Sequence, residues 1–240
     1  FSYKMNFIND ILIFGLLYIF LIFFDTGASL GMDYGGNANM SKSLLLIGYV
    51  MWTMAISPLN ILCNEVRIEA YKGTLEQKFM AVIPFYWLLI GKAISGIIIY
   101  IFEISIIIII SKIFMGIEFF INLKIISIIF VMMIGMYGIA LILGGLTLKE
   151  KKIGNIMLII QIFLLYGGNV LSKSTQIGIN KFIPLSVGID LARRIITNVP
   201  ISKNEFMYFL LLCVLWFVLG IFIFKYFSYQ TKKEGLLNNY

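Results

Sequence analysis

The 240-residue sequence contains no histidine. This absence excludes histidine zinc sites, Ser-His-Asp and Cys-His catalysis, and a histidine proton relay. The only two cysteines, Cys63 and Cys213, lie inside apolar segments without CxxC spacing, so neither a disulfide framework nor a thiolate metal site is expected. The sequence also lacks a GxxxxGK[ST] loop for ATP phosphates, a GxSxG elbow and paired intramembrane aspartates. We therefore expect no metal, no bound cofactor and no enzymatic activity in this chain itself.

Charged residues are also scarce. They make up 13% of the chain, against 60% hydrophobic residues, and the mean hydropathy is +0.97. That leaves too little polar surface to coat a soluble domain of this size. Long runs such as ISGIIIYIFEISIIIII (residues 94–110) lack the alternation of a barrel strand, so the chain is expected to cross a membrane as helices. The net charge of +7 comes from Lys and Arg spread over the ends of apolar segments, which favours membrane flanking over nucleic-acid binding.

Since a spanning helix needs roughly 20 apolar residues, the sequence predicts an all-α, polytopic membrane protein with about six transmembrane helices. The predicted spans are residues 7–24, 43–63, 88–111, 125–148, 156–171 and 207–229, within one transmembrane domain over residues 1–240. An even number of spans places both termini on one side. That side carries more of the Lys and Arg residues, which favours termini in the cytoplasm.

The most informative polar stretch lies between the second and third spans, on the expected cytoplasmic side. Gly73 interrupts its helical pattern, and Thr74 with Gln77 predicts a capping box that starts a new short helix. Pro84 limits that helix to about residues 74–81. The pattern predicts a short helix lying across the membrane surface, although the stretch taken alone favours an ordinary solvated elbow.

This stretch carries a resemblance to a known family. Residues 69–96, EAYKGTLEQKFMAVIPFYWLLIGKAISG, resemble the first cytoplasmic loop of type-2 ABC transporter permeases. The matching positions are Glu69, Gly73, Thr74, Leu75, Glu76, Pro84, Gly91 and Lys92, whereas Tyr71 replaces a second acidic residue often found there. Residues 137–155 resemble the fourth span and its basic turn, and residues 183–194 the outer segment before the last span, without the prolines common just upstream.

The resemblance implies the transmembrane permease subunit of an ATP-driven ABC exporter in the cell membrane. Such a subunit forms the pathway for an amphipathic or hydrophobic cargo, such as a drug, an antimicrobial peptide or a lipid-like molecule. Its implied partners are membrane lipid, a second permease (a copy or a homologue) and a separate ABC ATPase subunit that binds ATP and Mg. The implied ATPase-coupling residues are Glu69, Gly73, Thr74, Leu75, Glu76 and Gln77.

One carboxylate, Glu103, lies near the middle of the third predicted span. A charged group in lipid costs several kcal/mol unless it is protonated, paired or exposed to water, so such a residue is a candidate for the transport pathway. The alternative is a neutral Glu bonded to a neighbouring helix through Ser105 or Ser127. A stand-alone channel or secondary carrier built around Glu103 is the second functional hypothesis.

Polar residues also occur in and after the fifth span. By resemblance to the family, Gln161, Tyr166 and Asn169 are further pathway candidates, while helix packing through Gly167 and Gly168 is the structural alternative.

Before the last span, residues 185–197 have an apolar face at helical spacing. This pattern predicts an outer helix that lies in the membrane interface, beginning near Pro184. Asp190 is expected to pair with Arg193 or Arg194 in a modest structural contact.

Overall fold

The computed structural model describes residues 2–35, 40–117, 122–149, 154–173 and 178–233, without the side chains of residues 2–8, 10, 76, 149, 154, 155 and 232. Over these ranges the fold is all-α, with nine α-helices and one short 3₁₀ helix. The α-helices are α1 Ser2–Phe23, α2 Leu30–Asp33, α3 Ser41–Tyr71, α4 Leu75–Met80, α5 Phe85–Met115, α6 Leu123–Lys149, α7 Gly154–Gly167, α8 Pro184–Ile196 and α9 Lys203–Lys233, and the 3₁₀ helix is Gly178–Phe182.

Four helices, α3, α5, α6 and α9, are long and apolar enough to cross a membrane. They correspond to four of the six predicted spans and identify a candidate multi-pass membrane protein. The first and fifth predicted spans form α1 and α7, whose described apolar stretches, Ile11–Phe23 and Ile156–Gly167, are shorter. Six crossings therefore remain a prediction.

The helix α3 occupies the centre of the fold. It packs against α5, α6, α7 and α8, and nearly all of its apolar window is buried. In contrast, α5 and α9 expose many large apolar side chains, among them Ile98, Phe102, Leu211 and Phe222. Apolar side chains that point outward from long helices are expected where the surrounding solvent is lipid.

The most extensive helix pair is α6 with α9. Their backbones approach closely at Gly138 and Gly220, because a Cβ built on Gly220 would meet the backbone of Gly138. A Cβ on Gly138 would in turn collide with the backbone of Trp216. Small residues that let two membrane helices approach are a common basis of their association, since the hydrophobic effect gives little drive within lipid.

The predicted outer helix exists as α8, and it packs against both α3 and α6. Its position in the membrane interface stays a prediction. Its apolar residues Leu185, Ile189 and Ala192 are fully buried, and so are the polar residues Ser186 and Arg193. Arg193 bonds to the backbone just after α7, while Asp190 and Arg194 stay partly exposed.

Candidate functional site

The predicted coupling segment forms a sharp elbow between α3 and α4. Gly73 has a φ of +67°, the left-handed conformation that costs glycine little. Its amide donates to the Ala70 carbonyl at 3.1 Å, and the Thr74 amide donates to the Glu69 carbonyl at 3.1 Å. These two bonds form a Schellman motif, which satisfies the last carbonyls of α3. The prediction that Gly73 ends one helix is confirmed with a specific mechanism.

The predicted capping box at Thr74 and Gln77 is wrong. Thr74 lies in the helical region, with φ −95° and ψ 0°, and its side chain makes no capping bond to α4. Instead its hydroxyl donates to the carboxylate of Glu69, Oγ1 to Oε2, at 2.5 Å. Lys78 Nζ lies 4.0 Å from the other Glu69 oxygen. The Glu69 carboxylate thus joins the end of α3 to α4, and this bond takes the hydroxyl that the capping box required.

The short helix α4 has an inner and an outer side. Leu75 is 1% exposed and belongs to the hydrophobic core, and the ring of Phe79 lies 5.2 Å from that of Phe85 in α5. Gln77 is exposed, and Met80 is 73% exposed. Of the predicted coupling residues, Leu75 therefore anchors the helix, whereas Gln77 faces outward; the Glu76 side chain lies outside the described part of the structure.

Glu103 is buried in the bundle, with 2% of its surface exposed, so its carboxyl points toward protein and not toward lipid. The hydroxyls proposed as its partners are engaged elsewhere. Ser105 donates to the Ile101 carbonyl and Ser127 to the Lys124 carbonyl, both at 2.7 Å. Each hydroxyl has donated its one proton but can still accept a bond from a neutral Glu103, so the predicted bond to Ser105 or Ser127 stays a prediction. Whether Glu103 acts in transport stays a prediction.

Gln161 belongs to a polar cluster between α3 and α7. Gln161 Nε2 donates to Asn60 Oδ1 at 2.5 Å, and Trp52 Nε1 donates to the backbone carbonyl of Gln161 at 3.2 Å. A cavity of about 270 Å³ opens beside the two amides and is also lined by Arg67. Tyr166, in contrast, is 67% exposed and lies outside this cluster. Sequence reasoning missed Asn60, although an amide within an apolar span is itself a signal.

A second polar cluster surrounds Arg193 in α8, which is fully buried. Its guanidinium donates to three backbone carbonyls: Nε to Leu44 at 3.0 Å, Nη1 to Asn169 at 2.6 Å and Nη2 to Val170 at 2.5 Å. Gly48 in α3 provides the space, because a Cβ there would collide with Nη2. Arg193 thus connects α8, the start of α3 and the chain just after α7. We call this set of contacts the arginine cluster.

Burial lowers the pKa of the Arg193 guanidinium from its usual value, while the nearby Tyr34 and Asp190 oppose that shift. Burial also raises the pKa of the Tyr34 phenol, so its hydroxyl keeps its proton at neutral pH. That hydroxyl donates to Asp190 Oδ1 at 2.8 Å. Arginine stays protonated in proteins, so the arginine cluster holds a buried positive charge against carbonyl dipoles.

The predicted pair of Asp190 forms with Arg194, at 2.9 Å, and not with Arg193. The sequence contained a signal for the burial of Arg193, because it follows Ile189 by four residues and so lies on the same helical face. Asn169, predicted as a pathway residue, bonds to Arg193 in the arginine cluster, whereas Gln161 bonds to Trp52 in α3. The structure does not bring Asn169 and Gln161 together. Pro184 begins α8 at its first helical position, where proline fits.

Comparison with known proteins identifies no relative, since the chain matches no protein-family model and no curated protein. The function is therefore inferred from the residues and their geometry.

Proposed function

We propose that the chain is the transmembrane permease subunit of an ATP-driven ABC exporter, with six spans and both termini in the cytoplasm of the cell. One observation carries the proposal. Three positions that match the family, Glu69, Gly73 and Thr74, are the residues that build the elbow before α4. A match in sequence that coincides with a bonded structural unit is more specific than either alone.

In this proposal α4 is the contact with a separate ATPase subunit, which binds ATP and Mg. A short helix transmits force only if it is fixed to the element that moves. The elbow fixes α4 to α3, while Leu75 and Phe79 fix its inner side to the bundle. The outer side, with Gln77 and Met80, is then available to enter a groove on the partner, as amphipathic helices do.

The outward position of Met80 defines the test. Met80→Asp should abolish binding of the ATPase subunit or uncouple ATP hydrolysis from transport, because it places a charge in the apolar part of the contact. Met32 in α2 is a matched control, being also 73% exposed but at the opposite end of the bundle. Both variants would be purified in complex with the proposed ATPase subunit, and ATP hydrolysis and cargo export would be measured. Equal behaviour of Met80→Asp and Met32→Asp would remove α4 as the contact.

Leu75 is unsuitable for this test because it is buried within the chain. Leu75→Asp places a carboxylate in the core and should destabilise the elbow whether or not a partner binds. Gln77→Lys is the better second variant, since Gln77 is exposed.

A second permease is expected to pair with this one, as a copy or a homologue, to enclose the pathway. In this arrangement the second permease covers exposed apolar side chains of α1 and α7, namely Leu16, Phe20, Ile159 and Phe163. The proposed cargo is amphipathic or hydrophobic. Compounds that stimulate ATP hydrolysis by the assembled complex would identify it, and a complex with a single permease would contradict the pairing.

The second candidate is a stand-alone channel or secondary carrier, which the burial of Glu103 in α5 favours. Reconstituted alone in liposomes, such a protein would move its solute along an ion gradient, and Glu103→Gln would abolish that movement. Transport that requires both ATP and the ATPase subunit would exclude this candidate.

A further inference from the structure

A cavity of about 570 Å³ opens beside the arginine cluster, at the end of the bundle opposite the elbow. Its size is within the range of small-molecule sites. Asn169, Asn180 and Ser186 line it, and they are joined in a chain. Asn180 Nδ2 donates to Asn169 Oδ1 at 2.8 Å, and Asn169 Nδ2 donates to Ser186 Oγ at 2.7 Å. Asn180 is 8% exposed and Ser186 is 2% exposed, so the cavity contains ordered, largely buried polar groups.

Arg193 holds this chain of polar groups in place. The backbone carbonyl of Asn169 accepts a bond from the buried Arg193, and Asn169 itself has a φ of +59°. Because Arg193 also bonds to α3, Asn169 has little freedom to move. The cavity is thus preorganised, which lowers the entropic cost of binding a ligand.

Two carboxylates, Asp190 and Glu205, line the same cavity. Both bond to a single cation: Arg194 Nε lies 2.9 Å from Asp190 Oδ2, and Arg194 Nη1 lies 2.8 Å from Glu205 Oε1. Arg193 is a second cation close to Asp190, so two arginines balance the two carboxylates. Each carboxylate oxygen can accept more than one bond, so an ammonium can bind here beside the Arg194 guanidinium.

Two lysines, Lys173 and Lys181, also line the cavity. Lys173 Nζ donates to the Asp33 carbonyl at 3.0 Å and lies 4.4 Å from the centre of the Tyr34 ring. Within the described part of the chain, neither lysine forms an ion pair with an acidic side chain. Both charges are therefore available to an anion.

We propose that this cavity is a binding site for a zwitterionic group, one that carries an ammonium and a phosphate or carboxylate a few bonds apart. The ammonium is bound by Asp190 and Glu205, the anionic oxygens by Lys173 and Lys181, and the polar atoms between them by the Asn169 chain. The ligand is either a soluble molecule or the headgroup of a phospholipid. This site is separate from the proposed ATPase contact and does not depend on it.

Isothermal titration of the purified full-length protein in detergent with phosphoethanolamine tests the proposal. Ethanolamine, which carries only the ammonium, and glycerol phosphate, which carries only the phosphate, are titrated separately as the two halves. We expect phosphoethanolamine to bind at least about tenfold more tightly than either half, as each charge-assisted contact adds affinity. Glu205→Gln should weaken the binding of ethanolamine but not of glycerol phosphate, and Lys181→Ala the reverse. Lys203→Ala, which changes a lysine at the same end of the bundle outside this cavity, should leave all three affinities unchanged.

Native mass spectrometry from nanodiscs of mixed phosphatidylethanolamine and phosphatidylglycerol distinguishes the two sources. Retention of phosphatidylethanolamine that is lost in Lys181→Ala identifies a lipid headgroup. Binding of free phosphoethanolamine without such retention identifies a soluble ligand. The proposal is overturned if neither binds, if the halves bind as well as the zwitterion, or if the two charge variants fail to separate the halves. Because Lys181 is exposed, its variant remains informative even where Glu205→Gln fails to fold.

Discussion

Replacing Arg193 by methionine keeps an apolar stem of similar length in α8 but removes the guanidinium. The carbonyls of Asn169 and Val170, which follow the end of α7, then lose their donor. The Leu44 carbonyl lies within α3, where the helix backbone supplies a donor, so its loss counts for less. Each buried carbonyl left without a donor costs about 1–3 kcal/mol, so the loss of two donors should lower the free energy of unfolding by about 2–6 kcal/mol.

Chemical unfolding of the purified protein in detergent micelles, followed by circular dichroism, measures this change. Arg194→Met is the matched control, since Arg194 is the next residue and its side chain is 26% exposed. Its ion pairs with Asp190 and Glu205 lie near the surface, where such pairs contribute about 0–1 kcal/mol. Gly48→Ala changes the arginine cluster from the α3 side and should lower the free energy of unfolding as well. The added Cβ would lie 2.5 Å from Arg193 Nη2 and 3.2 Å from the Val170 carbonyl.

The reasoning is refuted if Arg193→Met and Arg194→Met have equal stability. It also fails if Gly48→Ala unfolds like the parent, because the space around the guanidinium would then be unimportant.

Three further predictions concern other parts of the bundle. Gly73→Ala should lower the free energy of unfolding by about 1–2 kcal/mol in the same denaturation assay, because alanine is strained at the positive φ while no neighbour lies within 4 Å of its Cβ. Gly138→Leu should separate α6 from α9 and reduce the yield of folded protein in size-exclusion chromatography, whereas Gly91→Leu, at a site with open space, should not. Glu103→Gln should alter transport more than expression in a cargo-export assay compared with immunoblots; unchanged transport would remove Glu103 from the pathway.

The course of the backbone could be predicted well from composition and from a few residues with fixed conformational preferences. Long apolar runs must form helices in lipid, so four predicted spans coincide with long apolar helices of the structure. Gly73 and Pro84 separate α4 from its neighbours, because a left-handed glycine ends one helix and a proline precedes the next. The ends of the spans could be predicted less well, since α3 continues to Tyr71, beyond the predicted end of the second span at residue 63.

Side-chain contacts could not be predicted in the same way, because each polar group has several possible hydrogen-bond partners in the sequence. The Thr74 hydroxyl could cap α4 or bond back to Glu69, and only the folded elbow decides between them. Arg193 and Arg194 are adjacent and chemically equal in sequence. The spacing of Arg193 after Ile189 indicates which of the two is buried, but its carbonyl partners are determined only by the packing of α8 against α3.

The helix α3 connects the arginine cluster with the elbow before α4. It begins near the Leu44 carbonyl that Arg193 binds and ends at the Glu69 carboxylate that holds Thr74, about 40 Å apart at 1.5 Å per residue. Pro58 lies inside this helix and lacks the amide that would bond to the Met54 carbonyl. The hydroxyl of Ser57 donates to that carbonyl at 2.9 Å instead, so the bonding of the helix continues past the proline. In the proposed exporter, a displacement of α4 is therefore carried along α3 to the arginine cluster, and Pro58 is the one point in its interior where a proline allows the helix to bend.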